Sequence, residues 1–322
     1  MLKSTLFFLG ATLGTVLLLS CERSTRELPM VESDQTIAIE RFELAFANPN
    51  NSLNELKATY PYLFPVQTPD SIWIAKRKDS LENLLIQAVD SVFGDFNKPQ
   101  KEINQLFSYY HYYFPNARIP KGISLTTNID YFSRVIYADS LLLMGLDNFL
   151  GDQHPFYQNI PMFLRTTMTP DHLTHSIAEQ LALAQLPKNN QTTFLSKIIW
   201  EGKLIYLQER LTPKRSMEMR MGYTKEQLEW AQLNESEIWR YFIDQKLLYS
   251  TDKELEYRFI NHAPFSKFKL ALDQESPGRI GRFIGYQIVK SYMNHNSVSL
   301  ELLLKEEAVT LLKKAKYKPK KS

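Results

Sequence analysis

Cysteine is nearly absent: Cys21 is the only one in 322 residues. No disulfide framework can form within the chain, and a lone cysteine needs another explanation. Charge of one sign is lacking too. Thirty-eight Lys and Arg against 35 Asp and Glu leave +3, too little to argue for a nucleic-acid partner. Long apolar runs are missing apart from residues 6–19, and that run is shorter than the roughly 20 residues of a spanning helix. No internal repeat stands out, and no glycine-rich phosphate loop. Gly278-Arg279-Ile280-Gly281 follows no strand pattern, so it is not a dinucleotide fingerprint.

The start of the chain explains the cysteine. Lys3 precedes the apolar run, which ends in Leu18-Leu19-Ser20-Cys21. A short apolar core before a small residue is the form of a signal peptide. Ser20-Cys21 has the form of a lipobox, whose thiol accepts diacylglycerol. The expectation is a signal peptide over 1–20 and lipidation of Cys21. One acyl chain binds a membrane weakly, so a durable anchor needs several on that cysteine. The implied partner is the membrane and the implied place the cell envelope, facing the periplasm or outside. An ordinary signal peptide with an incidental cysteine is the alternative. Residues 21–36, polar and aperiodic, read as a tether. Residues 37–322 then form one domain. Its basic end, with Lys313, Lys314, Lys316, Lys318, Lys320 and Lys321, reads as a solvated tail or as a contact for anionic head groups.

Periodicity predicts strands over 37–44, 119–126, 134–137 and 140–146. One short helix is expected within 50–70. Helical stripes run through Leu81, Leu85, Ala88 and Val92, and through Ile103, Leu106, Phe107 and Tyr110. The aromatic cluster 109–114 reads as packing, or as a shelf for peptide or sugar. Residues 147–157 have loop composition. From 159 onward the pattern is helical, in segments near 159–169, 170–186, 192–211, 224–232, 235–248, 252–261, 279–294 and 298–314. Strands in the first half and helices in the second predict an α+β fold, mostly helical. Gly281 and Gly285, four apart, predict close approach of another helix to the segment 279–294.

One constellation can carry chemistry. His175 and Glu179 are four apart after Pro170, so they share a helical face. Glu201 lies on the next long helix. Zinc peptidases place His-Glu-x-x-His on one helix and a Glu on a following one. Here Ser176 stands at the base position and Glu179 at the second histidine. Serine cannot take the proton that a Glu takes, so no catalytic residue is assigned. His175, Glu179 and Glu201 remain a possible vestigial metal site. A hydrogen-bonded His175–Glu179 pair is the simpler reading. His172 with His175 is a weaker metal alternative, without an obvious third partner. No cofactor is expected, although zinc can be held by such a set.

The mature chain resembles the GldB family of gliding-motility lipoproteins. The resemblance rests on the lipobox ending at Cys21, on 168–181 with His172, His175 and Glu179, on 200–206 with Trp200, Glu201 and Gly202, and on 277–289 with Pro277, Gly278, Arg279 and Gly281. The last stretch is similar to a segment of a wider group of predicted zinc metallopeptidases. The resemblance implies a zincin-like domain with altered catalytic apparatus, and other gliding or secretion envelope proteins as partners. It implies a non-catalytic assembly component. The alternatives are a metal-dependent periplasmic peptidase and a non-cleaving peptide- or glycan-binding module. Geometry discriminates: convergence of His175, Glu179 and Glu201 on one open point favours the peptidase, and a Lys203, arginine or apolar side chain at that point disfavours it.

Overall fold

A computed structural model describes residues 29–138, 140–188, 192–270 and 273–320. The expected signal peptide 1–20, Cys21 and the first part of the expected tether lie outside the described residues. The fold is α+β, dominated by helices around one small sheet. Strand β1 (Ile39–Arg41) leads into α1 (Phe42–Ala47), α2 (Leu53–Thr59), α3 (Asp70–Lys78), α4 (Ser80–Phe93) and α5 (Asn97–Tyr113). Strands β2 (Lys121–Leu125), β3 (Val135–Ala138) and β4 (Leu141–Gly145) follow, then the short α6 (Met162–Arg165). The helical half comprises α7 (His172–Gln185), α8 (Phe194–Leu211), α9 (Met217–Met221), α10 (Lys225–Leu233), α11 (Glu235–Asp244) and α12 (Glu254–Phe259). It ends with α13 (Ile280–His295), α14 (Leu300–Lys305) and α15 (Ala308–Ala315).

The sheet order is β1-β2-β4-β3. β2 runs parallel to both β1 and β4, and β3 pairs antiparallel with β4. The apolar run 141–145 is legible from this arrangement. Side chains alternate faces along a strand. Leu141 and Leu143 join Ile123, Phe42 and Tyr60 on one face, while Leu142 and Met144 join Phe107 and Tyr110 of α5 on the other. A strand covered on both faces needs no polar side.

Residues 37–44 are a correction to the sequence reading. Only Ile39–Arg41 is extended, and the chain turns helical at Phe42. Phe42 and Phe46, four apart, both pack into the cluster with Tyr60 and Phe64, and helical spacing is what puts them on one face. Helix α3 went unread because nothing on it is buried. The segment 298–314 splits at Glu306, whose extended backbone ends α14. The lysine-rich end packs back on the fold: Leu311 and Ala315 are buried, and the Tyr317 hydroxyl donates to Glu235 at 2.9 Å.

Two contacts fix the helical half. A capping box starts α8: Thr193 Oγ1 accepts from the Ser196 amide, and Ser196 Oγ accepts from the Thr193 amide. Downstream, α8 and α13 meet backbone to backbone. A Cβ on Gly202 would lie 2.2 Å from the Gly285 carbonyl oxygen, and one on Gly285 would lie 1.7 Å from that of Ile198. The close approach expected for Gly285 is therefore made to α8, and it needs glycine on both sides.

Candidate functional site

The seam between α8 and α13 sets the site. Glu201 immediately precedes Gly202, and Arg282 lies one turn before Gly285. Closing the backbones at the glycines brings Glu201 and Arg282 side by side: Arg282 Nε lies 2.7 Å from Glu201 Oε2. Arg282 Nη2 lies 3.5 Å from Glu179 Oε1 on α7. One guanidinium, 2% exposed, thus bridges the two carboxylates. The approach is off-axis, and Arg282 Nε and Nη2 and Glu201 Oε2 make no hydrogen bond.

Helix α7 delivers the rest. Its first two turns, His172 to Ala178, are buried without a break. His175 Nδ1 and Ser176 Oγ are buried with no hydrogen-bond partner. Burial brings the His175 imidazole from 6.5 down to about 3; Glu179 opposes this only in part. The ring is neutral at physiological pH. For Glu179, burial alone would raise the carboxyl, but Arg282 above all, then His175, Arg279 and Arg134, hold it at about 2. The hydrogen-bonded His175–Glu179 pair is not formed through Nδ1. His172 turns elsewhere, its Nδ1 lying 2.7 Å from Thr169 Oγ1.

His175, Ser176, Glu179 and Arg282 face a pocket of about 230 Å³. Arg134, Arg220, Arg279 and Arg282 line it, with Glu179 as the one acidic side chain on its wall among the described residues. Each arginine is held from behind. Arg134 donates to the Thr167 carbonyl and hydroxyl at 3.1 and 3.0 Å, with its guanidinium 4.5 Å from the Tyr131 ring centre. Arg220 donates to the Thr212 carbonyl at 2.9 Å, and its buried Nε has no partner. Arg279 caps α13 in the left-handed region, φ 62°, and donates from Nε to the Ile260 carbonyl at 3.1 Å. Burial, then the like charge of Arg282, lower Arg279 to about 10.

The turn before Tyr131 and Arg134 is itself strained. Asn128 and Ile129 both have positive φ, 56° and 60°, unusual for a β-branched residue. The buried Asp147 carboxylate holds that turn, accepting from the Thr127 amide at 3.0 Å and the Ile129 amide at 2.7 Å. Asp147 fell in a stretch read only as loop.

Glu179 and Glu201 are brought together, then, and His175 stands beside Glu179. Among the described residues no group of three or more His, Cys, Asp or Glu side chains is placed to hold a metal ion. Lys203 points away, donating from Nζ to the Leu304 and Glu306 carbonyls at 3.1 and 2.7 Å. The four arginines were not singled out as site residues. The available signal was Arg282 itself, a charge inside the apolar stripe Ile280, Phe283 and Ile284.

The family model described as gliding motility protein GldB matches residues 24–319. The chain belongs to the GldB family. The match takes in α7, α8 and α13, and hence every pocket residue named above. No curated protein and no solved structure matches the chain. Among the described residues no helix is long and apolar enough to cross a membrane.

Proposed function

We propose that this GldB-family chain is a lipid-anchored envelope component of the gliding machinery that supports other gliding and secretion proteins without cleaving them. Arg282 carries the non-catalytic part of that reading. In a zinc peptidase a cation sits between helix-borne ligands and acidifies a water, and a nearby carboxylate takes its proton. Here a guanidinium already bridges Glu179 and Glu201. The donor set does not fit zinc as it stands, because both carboxylates are engaged by a fixed cation and His175 adds a single neutral nitrogen. Ser176 supplies no base. The zincin-like ancestry suggested by His175 and Glu201 is compatible with a site whose metal was replaced by an arginine.

The test is metal content and peptidase activity of the purified chain lacking residues 1–21. The expected result is no cleavage of unstructured protein, with or without zinc. Zinc-dependent cleavage abolished in Glu201→Ala overturns the reading.

The anchor part rests on Ser20-Cys21 behind the apolar run. Cys21→Ser is expected to abolish incorporation of a clickable fatty acid and to leave an uncleaved or mislocalised precursor. Equal labelling of wild type and variant would sink the lipid assignment.

A further inference from the structure

The described wall of the pocket carries more positive than negative side chains. Four arginines and one glutamate line it, and Glu201 lies behind Arg282. Counting both carboxylates, the arginines outnumber the acids of the site by two, and Glu209 and Glu218, outside the lining, act on Arg220 from behind. Arg220 and Arg282 are 6% and 2% exposed and keep guanidinium nitrogens without hydrogen bonds. Buried charges left in this state are costly unless something completes them.

A second hollow of about 470 Å³ continues from the first, sharing Thr167, Met221, Gly222, His262 and Arg279 with it. Its own wall is largely apolar, with Pro161, Met162, Phe163 and Pro264. A cationic end joined to an apolar trough matches an anion carried on an apolar body.

We infer that this joint cavity binds a carboxylate attached to an apolar chain, with the carboxylate on Arg279, Arg134 and Arg220 and the apolar part along Phe163 and Met162. A planar carboxylate suits the guanidinium fork. Its single charge also fits a cavity that contains Glu179, where a dianion would meet more repulsion. The source of such a group is the C-terminus of a peptide or a fatty acid. The inference rests on Arg282 standing in place of a metal, and the two readings fail separately: turnover shows as loss of a blocked peptide, whereas absence of binding leaves the non-catalytic reading untouched.

The test is calorimetric titration of the full chain in detergent with acetyl-Ala-Phe as free acid, with its amide, with octanoate and with inorganic phosphate. The free acid is expected to bind, and the amide to bind at least about tenfold more weakly, because the charge-assisted hydrogen bonds are lost. Arg279→Gln is expected to lose a similar factor, Arg279→Lys less, and Phe163→Ala to weaken the free acid while its melting temperature stays near wild type. Octanoate binding as well as the peptide acid supports the carboxylate assignment and points to a fatty acid. Equal binding of acid and amide, tighter binding of phosphate, or no binding of either carboxylate overturns it. The acid–amide comparison uses the unaltered chain, so it stands even where a variant fails to fold.

Discussion

Two carboxylate centres in this chain, one buried and one half-buried around a buried arginine, resolve the same physical problem differently. Asp147, fully buried, has its oxygens taken up by the turn it stabilises: two backbone amides and the Thr127 hydroxyl reach it. Burial still raises its carboxyl above the ordinary range, against those hydrogen bonds. Its bonding capacity is used inside the fold, so it is structural. At Glu179 and Glu201 the partner is a guanidinium held off-axis, with nitrogens and an oxygen left over beside an open pocket. A buried charge that is incompletely bonded marks the place where the fold keeps something in reserve.

The comparison breaks first at Arg282. Arg282→Met leaves two carboxylates facing each other unpaired and is expected to cost about 3–5 kcal/mol, as removal of one partner from a buried pair does. Converting all three, with Glu179→Gln and Glu201→Gln added, is expected to recover most of that loss, because uncharged groups of similar volume replace such clusters at little cost. Urea denaturation of the chain lacking residues 1–21 measures both. A triple variant no more stable than the single one would mean that the cluster is structural, like Asp147. Next in size is the seam that positions Arg282. Gly285→Leu forces a Cβ onto the Ile198 carbonyl and is expected to cost at least about 3 kcal/mol, the upper end for overpacking. An unchanged melting temperature would refute the seam. Asp147→Asn follows, at about 1–3 kcal/mol, because its NH2 sets a donor against the Thr127 and Ile129 amides. No neutralising partner substitution should rescue it, since its partners are backbone amides.

The sequence exposed the scaffold of this site better than its centre. Helical spacing located α7, α8 and α13, and the Gly281–Gly285 spacing anticipated a close helix contact. His175, Glu179 and Glu201 were recognisable because carboxylate and imidazole at fixed spacing suggest metal chemistry. Arg282 was not, because no local pattern says which way one charged side chain of a buried helix will point; that is decided by Gly202, 80 positions away in the sequence. Asp147 was missed for a related reason. Its amide partners lie about 20 positions upstream, in a turn whose positive-φ residues are not glycines. The short strand β1 failed because Phe42 and Phe46 gain more by packing on Tyr60 and Phe64 than the sheet offers to a longer strand.

The smallest effect separates the two centres by pH. His175 has its pKa lowered from 6.5 to about 3 by burial, and His172 to about 4. Below pH 6.5 the unfolded chain takes up protons that the folded chain refuses, so stability falls as pH falls between 6.5 and those lower values. Glu179, lowered to about 2, adds loss of the same sign, but only once pH drops below its ordinary 4.5. Asp147 has the opposite sign: with its carboxyl raised, the folded state gains from protonation, and stability is lost as pH rises through its folded value. Between pH 6.5 and 5 each of these two histidines contributes about 1.5 kcal/mol of lost stability on acidification. His175→Gln keeps a neutral polar side chain beside Glu179 and is expected to remove one such share. Asp147→Asn is expected to lower stability and to remove the contribution of opposite sign. Urea midpoints at pH 6.5, 6 and 5 for the three proteins decide it. An unaltered slope in His175→Gln would mean that the imidazole is protonated in the fold, and the neutral charge assigned to that wall of the pocket would have to be withdrawn.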